Sequence, residues 1–360
     1  MALSLVTGFP GFIGRRLVRT LLDRDPQATV LALVEPRMLA AGREAAAAID
    51  AERVEVVGGD ITERGLGLAP AALDRLRGEV RRVFHLAAIY DLSVPLELAQ
   101  RVNVEGTGNV LELCLEAERL ERLVYVSTAY VAGWRTGVVY EHELVLGQEF
   151  KNHYESTKLQ AELWVRTAID RVPTTIVRPA IVVGDSRTGE TQKFDGPYYL
   201  LRAIAEASRA HRPLPQFGRL RSTFNVVPVD YVVAAIAAVA DDPAAAGETL
   251  HMVDPEPLTS AELITLLSER YADRTPSGRV PAGLVAASLR LAPVRARFGG
   301  TPPESLAYLN HPVRFDTRRA TSLLAGHGLR PPNFVDYVDA MVEFFRANER
   351  DPALVPAAAR

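Results

Sequence analysis

The chain has 360 residues, which is long for one small domain and fits one large α/β domain with an appended region. Its composition, with 48% hydrophobic and 24% charged residues, is typical of a globular protein with a sizeable core. A net charge of −3 argues against nucleic acid or acidic lipid as a partner. The sequence has no uninterrupted apolar stretch of about 18 residues, so we expect no membrane span.

The first segment, MALSLVTGFPGFIG, has no basic stretch before its apolar run. We therefore expect no signal peptide and a cytoplasmic location. The chain has a single cysteine, Cys114, in the helical and apolar stretch VLELCLEAERL, where a core residue is the expected role.

Short β-branched runs alternate with helical periodicity over the first 180 residues. Strands are predicted at residues 3–7, 29–34, 54–58, 82–87, 122–127 and 174–179. The segments between them, such as IGRRLVRTLLDRD, repeat apolar residues every three or four positions. This alternation predicts a Rossmann-type, doubly wound parallel sheet with helices on both faces.

The pattern changes after residue 183. Residues 184–221 read as a polar loop and connecting segment, while residues 222–245 return to the core as a strand-like piece and an apolar helix. From about residue 255 onward, turns rich in proline separate amphipathic helices. We therefore predict a core domain of residues 1–183 with 222–245, a smaller and mainly helical substrate-binding region of residues 184–221 and 246–350, and a frayed tail of residues 351–360.

Three glycines, Gly8, Gly11 and Gly14, follow the first strand and open the first helix. Their spacing is G-x-x-G-x-x-G, which differs from the G-x-G-x-x-G fingerprint but offers the same tight turn and free helix N-terminus to a pyrophosphate. A plain turn is the alternative. The predicted dinucleotide contacts in this segment are Thr7, Gly8, Phe9, Pro10, Gly11, Phe12, Ile13 and Gly14.

The end of the second predicted strand carries both Glu35 and Arg37. A carboxylate there favours NAD through the ribose hydroxyls, whereas an arginine favours NADP through the 2′-phosphate. The residues alone leave both readings open. Asp60 and Ile61, after the third strand, are placed near the adenine, although a turn or helix-cap role for Asp60 fits equally well.

The fourth predicted strand ends in HLAA, where the small residues Ala87 and Ala88 allow a nucleotide to lie close to the backbone. His85 lies inside that apolar strand. We therefore expect a structural histidine there.

Tyr154 and Lys158, in HYESTK, are four residues apart and so share one face of a helix. An ammonium near a phenol lowers the pKa of the phenol, which would suit Tyr154 to exchange a proton with a carbonyl oxygen. Ser127 and Thr128 end the fifth predicted strand, where a hydroxyl can reach an oxyanion. Asn103 either supports the lysine through water or is a helix-surface or kink residue.

Taken in order, TGFPGFIG, GDIT, HLAA, NVEGT, VSTAYVAG, YESTK and RPAIVVG resemble the extended short-chain dehydrogenase/reductase family over roughly residues 3–240. The resemblance implies a catalytic set of Thr128, Tyr154, Lys158 and Asn103, with Pro179, Ile181 and Val182 along the nicotinamide pocket. STAYVAG, KFDGPYYLLRAI and FNVVPVDYVVAAI are most similar to its male-sterility or thioester-reductase branch, which usually uses NADPH. That branch has a basic residue where this chain has Glu35, so NAD(H) stays open. NADP(H) is favoured, with Arg37 taking the 2′-phosphate.

The leading hypothesis from this resemblance is reduction of a hydrophobic acyl thioester, carried by CoA or a carrier protein, to an aldehyde, with further reduction to an alcohol left open. Ser127, Phe194, Tyr198 and Tyr199 are placed nearest the substrate. Helices after residue 280 would bury the acyl chain, or simply cap the domain or form an interface. A homodimer is left open.

Two other enzyme classes remain: a sterol- or polyketide-type ketone/alcohol dehydrogenase, and a sugar-nucleotide epimerase or dehydratase with tightly bound NAD. A nucleotide-sensing regulator has no need of Tyr154 and Lys158 beside a strand-end hydroxyl. One cysteine and scattered histidines predict no metal site.

Overall fold

The computed structural model of the chain describes residues 2–217, 221–297 and 303–355. Its strands are β1 (Leu3–Thr7), β2 (Thr29–Val34), β3 (Val54–Gly58), β4 (Val80–His85), β5 (Arg122–Val126), β6 (Gly137–Val139), β7 (Thr174–Pro179), β8 (Ile181–Val183), β9 (Gln216–Phe217), β10 (Val226–Pro228), β11 (Thr249–Met252), β12 (Arg279–Val280) and β13 (Val313–Phe315). Seven of them form one parallel sheet in the order β11-β7-β5-β4-β1-β2-β3. The predicted Rossmann-type fold is therefore confirmed.

The helices are α1 (Phe12–Arg24), α2 (Leu39–Asp50), α3 (Pro70–Glu79), α4 (Leu96–Ala99), α5 (Gly106–Glu116), α6 (His153–Thr167), α7 (Tyr198–Arg209), α8 (Val229–Asp241), α9 (Ser260–Ala272), α10 (Ala282–Leu289), α11 (Ala292–Arg297), α12 (Arg318–Ala325) and α13 (Phe334–Asn348). A π-helical segment, Gln100–Glu105, joins α4 to α5. Short 3₁₀ turns occupy Pro36–Met38, Arg64–Gly67, Ala129–Ala132, Pro243–Ala245 and Pro303–Asn310.

Strands β1 and β5 are buried along their whole length, and β2 is buried except at its first residue. This burial explains why their sequences are continuous apolar runs instead of alternating ones, since helices cover both faces of the sheet. Two predicted strands ended too late: β4 stops at His85 and β5 at Val126, because the residues that follow turn toward a cavity.

The strand order reverses between the neighbouring strands β1 and β4. The chain leaves the sheet after each of them at the carboxyl edge. In open parallel sheets such a reversal creates a crevice for ligands. The glycine motif follows β1 and the alanine pair follows β4. The fold therefore gathers the predicted motifs at one edge.

Two predicted boundaries are wrong. Strand β11 (Thr249–Met252) is an edge of the central sheet and pairs with β7, although residues 246–350 were assigned to the substrate-binding region. The tail is also packed as far as it is described: Leu354 contacts the core and its carbonyl accepts a hydrogen bond from Phe194 N at 2.8 Å. Residues 356–360 lie outside the described residues.

Candidate active site

A cavity of 830 Å³ opens at the carboxyl edge of the sheet. One side is lined by the glycine motif, the alanine pair and the ends of β5 and β7. The other side is lined by α7, α9, α10 and the turn Pro303–Asn310. The predicted site residues on its wall are Gly8, Gly11, Phe12, Ile13, Gly14, Ala87, Ala88, Ser127, Thr128, Tyr154, Lys158, Pro179, Ile181, Val182 and Tyr199.

The glycine turn is tight for a steric reason. Gly8 has φ +85°, and Gly11 N donates a hydrogen bond of 3.0 Å to Gly8 O. A Cβ on Gly14 would lie 2.5 Å from that same carbonyl oxygen, so a larger residue cannot pack there. Helix α1 begins without a side-chain cap or an acidic residue in its first turn. Its first amides and dipole therefore fit a pyrophosphate.

Thr7 supports this turn from behind the cavity. Its buried hydroxyl lies 2.7 Å from His85 Nδ1 and accepts hydrogen bonds from the amides of Leu86 and Ala87. Thr7 was expected to contact the dinucleotide, but it does not line the cavity, because these hydrogen bonds hold its side chain inside the sheet. Phe9 packs in the core and Pro10 also lies off the cavity wall, because the turn directs them away from the crevice.

His85 is a structural residue, as predicted. The ring is buried, bonds Thr7 on one side and approaches Thr107 Oγ1 at 3.0 Å on the other. Burial lowers the pKa of the imidazole to about 3, with the nearby Lys158 charge acting in the same direction. Cys114 is likewise buried, and burial raises the pKa of its thiol to about 12, so it is a core residue.

Glu35 and Arg37 form an ion pair with each other after β2. The Arg37 side chain is 85% exposed, and neither residue lines the cavity. Asp60 makes a turn in which Oδ1 accepts a hydrogen bond of 2.8 Å from Thr62 N. Ile61 is buried beneath α5, close to Gly106. The position of Asp60 therefore favours the turn role, and Ile61 lies off the cavity wall.

Three of the four predicted catalytic residues face the cavity together. Thr128 caps the turn Ala129–Ala132, where Oγ1 accepts from Tyr130 N at 3.2 Å, and its hydroxyl donates a long hydrogen bond of 3.5 Å to Pro179 O. Asn152 caps α6 by accepting from Glu155 N at 3.0 Å, which fixes the turn that carries Tyr154. Lys158 Nζ donates to Val126 O at 2.8 Å.

The electrostatics of this group differ from the expectation. Burial raises the pKa of the Tyr154 phenol, and the neighbouring Thr128 hydroxyl opposes that shift only in part. Burial also lowers the pKa of the Lys158 ammonium to about 7, against the attraction of Glu162. Desolvation therefore outweighs the lowering of the Tyr154 pKa that the sequence predicts.

Ser127 and Thr128 point to different partners. Ser127 borders the cavity, but its hydroxyl donates to Glu162 Oε2 at 2.7 Å. Glu162 also accepts two hydrogen bonds from Arg178, at 3.0 and 2.6 Å, and both of these side chains are fully buried. This ion pair joins α6 to β7. Because the Ser127 hydroxyl is bonded to Glu162, Thr128 is the strand-end residue whose hydroxyl is available to the cavity.

Asn103 is fully buried in the π-helical segment, so it is not a surface residue. Its Oδ1 accepts from Ile89 N at 2.9 Å and its Nδ2 donates to Thr157 Oγ1 at 3.0 Å. It thereby connects the loop after β4 to the helix that carries Tyr154. It lies off the cavity wall.

Two predicted substrate residues are misplaced. The Phe194 ring packs against Tyr198 and Phe345, with ring centroids 5.2 and 4.9 Å apart, and the Tyr198 hydroxyl accepts from Gly184 N. Both rings belong to the core, because α13 covers them. Tyr199, on the next face of α7, does line the cavity.

Three tyrosines and one alanine on the cavity wall are not among the predicted site residues. Tyr90 packs edge-on against Tyr154 with ring centroids 5.2 Å apart, and Ala180, Tyr130 and Tyr308 complete that region. Tyr90 follows HLAA by two residues, so its position was a usable signal. Tyr308 comes from a distant segment and had none.

The wall contributed by the C-terminal helices is apolar. Two hydroxyls on it, of Ser268 and Ser288, donate to Ile264 O and Val285 O in their own helices. The surrounding side chains are Leu200, Ala203, Ile204, Val285, Leu289 and Leu306. Within the described residues, no group of three or more His, Cys, Asp or Glu could hold a metal ion, and no helix is long and apolar enough to cross a membrane.

The chain is similar in sequence to known proteins. The sequence profile of the family described as Male sterility protein matches residues 6–236. The non-canonical nonribosomal peptide synthetase FrzA of Cladobotryum sp is 30% identical over 280 residues, which is 72% of this chain and 26% of that protein. Fatty acyl-CoA reductase wat of Drosophila melanogaster is 26% identical over 284 residues, which is 66% of this chain and 53% of that protein. The chain thus spans about a quarter of the first and about half of the second.

Solved structures are similar over nearly the whole chain. The terminal R domain from the myxalamid PKS-NRPS biosynthetic pathway has a TM-score of 0.81 and 25% identity, over 98% of this chain and 93% of that one. The dTDP-glucose 4,6-dehydratase DesIV from Streptomyces venezuelae, with NAD bound, has a TM-score of 0.69 and 23% identity, over 98% and 99%. The second likeness concerns the fold alone.

Proposed function

Since this chain belongs to the male sterility protein family, we propose that it is an NAD(P)H-dependent reductase of a hydrophobic acyl thioester carried by CoA or a carrier protein. One observation carries the proposal. The hydroxyls of Thr128 and Tyr154 line the same cavity as the glycine turn and an apolar wall. The relatives named as a fatty acyl-CoA reductase and an R domain support an acyl substrate over a sugar nucleotide.

The glycine turn would hold the pyrophosphate through the first amides of α1. Pro179, Ala180 and Ile181 would flank the nicotinamide end, next to Lys158. Hydride for the carbonyl carbon comes from the reduced nicotinamide when that cofactor is bound. The cavity fits the nicotinamide cofactor because small residues border it, with the glycines after β1 and the alanine pair after β4.

Thr128 and Tyr154 act on the carbonyl oxygen. As negative charge develops there, Thr128 donates a hydrogen bond and Tyr154 transfers its phenolic proton. Lys158 stabilises the phenolate that remains. With a thioester, the resulting hemithioacetal collapses to the aldehyde and a free thiol. Further reduction of the aldehyde to an alcohol would use the same contacts and a second equivalent of reduced nicotinamide.

NADP(H) is the proposed cofactor. Arg37 is exposed at the end of β2, where its guanidinium can turn from Glu35 to a 2′-phosphate. NAD(H) would instead use Glu35. The C-terminal helices form the proposed substrate-binding region, because they supply the apolar wall opposite Tyr154.

Oxidation of NADPH and NADH by the purified protein, followed spectrophotometrically with acyl-CoAs, aldehydes and ketones, tests the proposal. We expect oxidation with hydrophobic acyl thioesters. Tyr154→Phe should abolish it while NADPH still binds, as measured by fluorescence, and Tyr140→Phe, at an exposed tyrosine, should behave as wild type. Undiminished turnover in Tyr154→Phe would refute the proton-donor role. A protein purified with stoichiometric NAD and showing no net nicotinamide consumption would instead be an epimerase or dehydratase.

A further inference from the structure

The ammonium of Lys158 is held by a carbonyl and an aromatic ring. The residue is 2% exposed, and its Nζ donates a hydrogen bond of 2.8 Å to Val126 O. Its Nζ also lies over the face of the Tyr125 ring, 4.4 Å from the centroid. A desolvated ammonium over an aromatic face is attracted by the ring quadrupole.

The carboxylate on the same helix does not neutralise Lys158 by direct contact. Glu162 is one helical turn further along α6, where it accepts from Arg178, Arg166 and Ser127. Its two oxygens are therefore committed to guanidinium and hydroxyl donors. Glu162 acts on Lys158 only through space.

The Tyr125 ring is held in place from the other side. Tyr125 is fully buried on β5, and its ring centroid lies 5.7 Å from that of His85 on β4. The Tyr125 hydroxyl has no hydrogen-bond partner of normal geometry among the described residues, although Thr107 interacts with it weakly. The ring, and not the hydroxyl, therefore makes the useful contact.

From this arrangement we propose that Tyr125 is a positioning residue, whose ring holds the charged amine of Lys158 beside Tyr154. The inference rests on the proposed function, in which a charged Lys158 stabilises the Tyr154 phenolate. Titratable groups around the amine are Glu162 on α6, His85 on β4 and Tyr125 itself on β5, and Tyr154 lies one helical turn before Lys158 on α6. His85 is neutral near pH 7 and does not compete for the ring.

Three variants separate the ring from the hydroxyl. Tyr125→Phe keeps the ring and removes the hydroxyl, whereas Tyr125→Met and Tyr125→Leu remove the ring. Turnover requires the charged amine, so it is present below the Lys158 pKa and lost as pH rises through it. Without the ring, the alkaline limb of the kcat–pH profile should move to lower pH by roughly 0.5 to 1.5 units. Tyr125→Phe should keep the wild-type profile.

A second readout does not require turnover. The pH dependence of amine acylation at Lys158, measured by mass spectrometry on the folded protein, gives its titration directly. Tyr125→Met or Tyr125→Leu should show the same downward shift, whichever of the two has a circular dichroism spectrum like that of wild type. If Lys158 titrates identically in wild type and in a folded ring-less variant, the inference is wrong. If the wild type reduces no carbonyl but the titration shifts, the proposed function fails and the Tyr125 contact stands.

Discussion

Tyr308 donates a hydrogen bond of 2.8 Å to Glu155 Oε1, the residue next to Tyr154, and its hydroxyl also accepts one of 2.9 Å from Asn152 Nδ2. Asn152 caps α6 and Glu155 lies in its first turn. The turn Pro303–Asn310 is thus bonded to the start of the helix that carries Tyr154 and Lys158. Hydrogen bonds therefore connect the part of the cavity wall that contains Tyr308 to the helix that carries the proposed proton donor.

Tyr308→Phe removes both hydrogen bonds and leaves the Glu155 carboxylate buried with one partner fewer. We expect the free energy of unfolding to fall by about 1–3 kcal/mol, measured by urea denaturation. Tyr140→Phe, at an exposed tyrosine, should change it by less than about 0.5 kcal/mol. Equal stabilities for the two variants would show that this contact is not made in solution.

Thr128→Val removes the hydroxyl and keeps the shape of the side chain. Because the hydroxyl is proposed to stabilise the developing oxyanion, kcat should fall by about 10²- to 10³-fold with little change in cofactor affinity. Thr128→Ser keeps the donor and should retain most of the turnover. Steady-state kinetics on both variants check this, and a valine variant as active as the serine variant would exclude Thr128 from the reaction.

Arg37→Ala should lower kcat/KM for NADPH by roughly 10- to 100-fold, because a charged contact to the 2′-phosphate is lost. The value for NADH should change little. Glu35→Ala should widen the preference for NADPH, since Arg37 loses its ion-pair partner. Arg119→Ala, in the exposed turn before β5, serves as the control. A matching decrease for both cofactors in Arg37→Ala would contradict the assignment.

Ala203→Phe places a large ring in the cavity from α7. Overpacking should reduce kcat/KM for long acyl substrates by roughly 10-fold or more relative to short ones. Ala210→Phe, at an exposed position just past the end of the same helix, should leave the chain-length preference unchanged. The measurement is a series of acyl-CoAs of increasing length, and a parallel decrease for every length would place the acyl chain elsewhere.

His251 provides a test of acid stability. Burial lowers its pKa to about 3 from an ordinary value of 6.5, with the Arg178 charge acting in the same direction. Between those two pH values the unfolded chain binds one more proton at this residue than the folded protein does. The contribution of His251 to the free energy of unfolding is therefore complete above about pH 6.5 and is lost as pH falls. Each such histidine adds up to about 1.4 kcal/mol per pH unit to the slope.

His251→Gln should remove that share of the slope. Urea unfolding at several pH values between about 4.5 and 7.5 is compared for the variant and wild type, with His153→Gln, at an exposed histidine, as the matched control. The comparison isolates one residue because the buried Glu141 and Glu155, whose pKa values are raised by burial, are present in all three proteins. An unchanged slope in His251→Gln would show that this imidazole is protonated in the folded state.

Local patterns in the sequence were sufficient for the parts of the fold that depend on nearby residues. The runs that became β1 and β2, and the spacing of Gly8 and Gly14, are encoded within a few positions of each other. Tyr154 and Lys158 share a helix face for the same reason. These predictions needed only the helical and extended periodicities.

Partners far apart in the chain were beyond such patterns. The sequence places Phe194 beside the substrate, but Phe345 covers its ring. Ser127 reads as an active-site hydroxyl until Glu162 accepts its hydrogen bond. Burial likewise reverses the expected direction of the Tyr154 pKa, because desolvation depends on everything packed around the phenol. Each of these outcomes is set by tertiary packing.

Strand β11 sets a practical limit on shortening the protein. The match to the family ends at residue 236, yet β11 supplies the ladder along β7 through Thr249–Met252, and Ile176 N donates to Glu248 O at 2.9 Å beside it. A fragment trimmed to that match alone would expose the backbone groups of β7 as a bare edge, which is a template for association with other copies. Expression fragments meant to remain monodisperse should therefore extend beyond Met252.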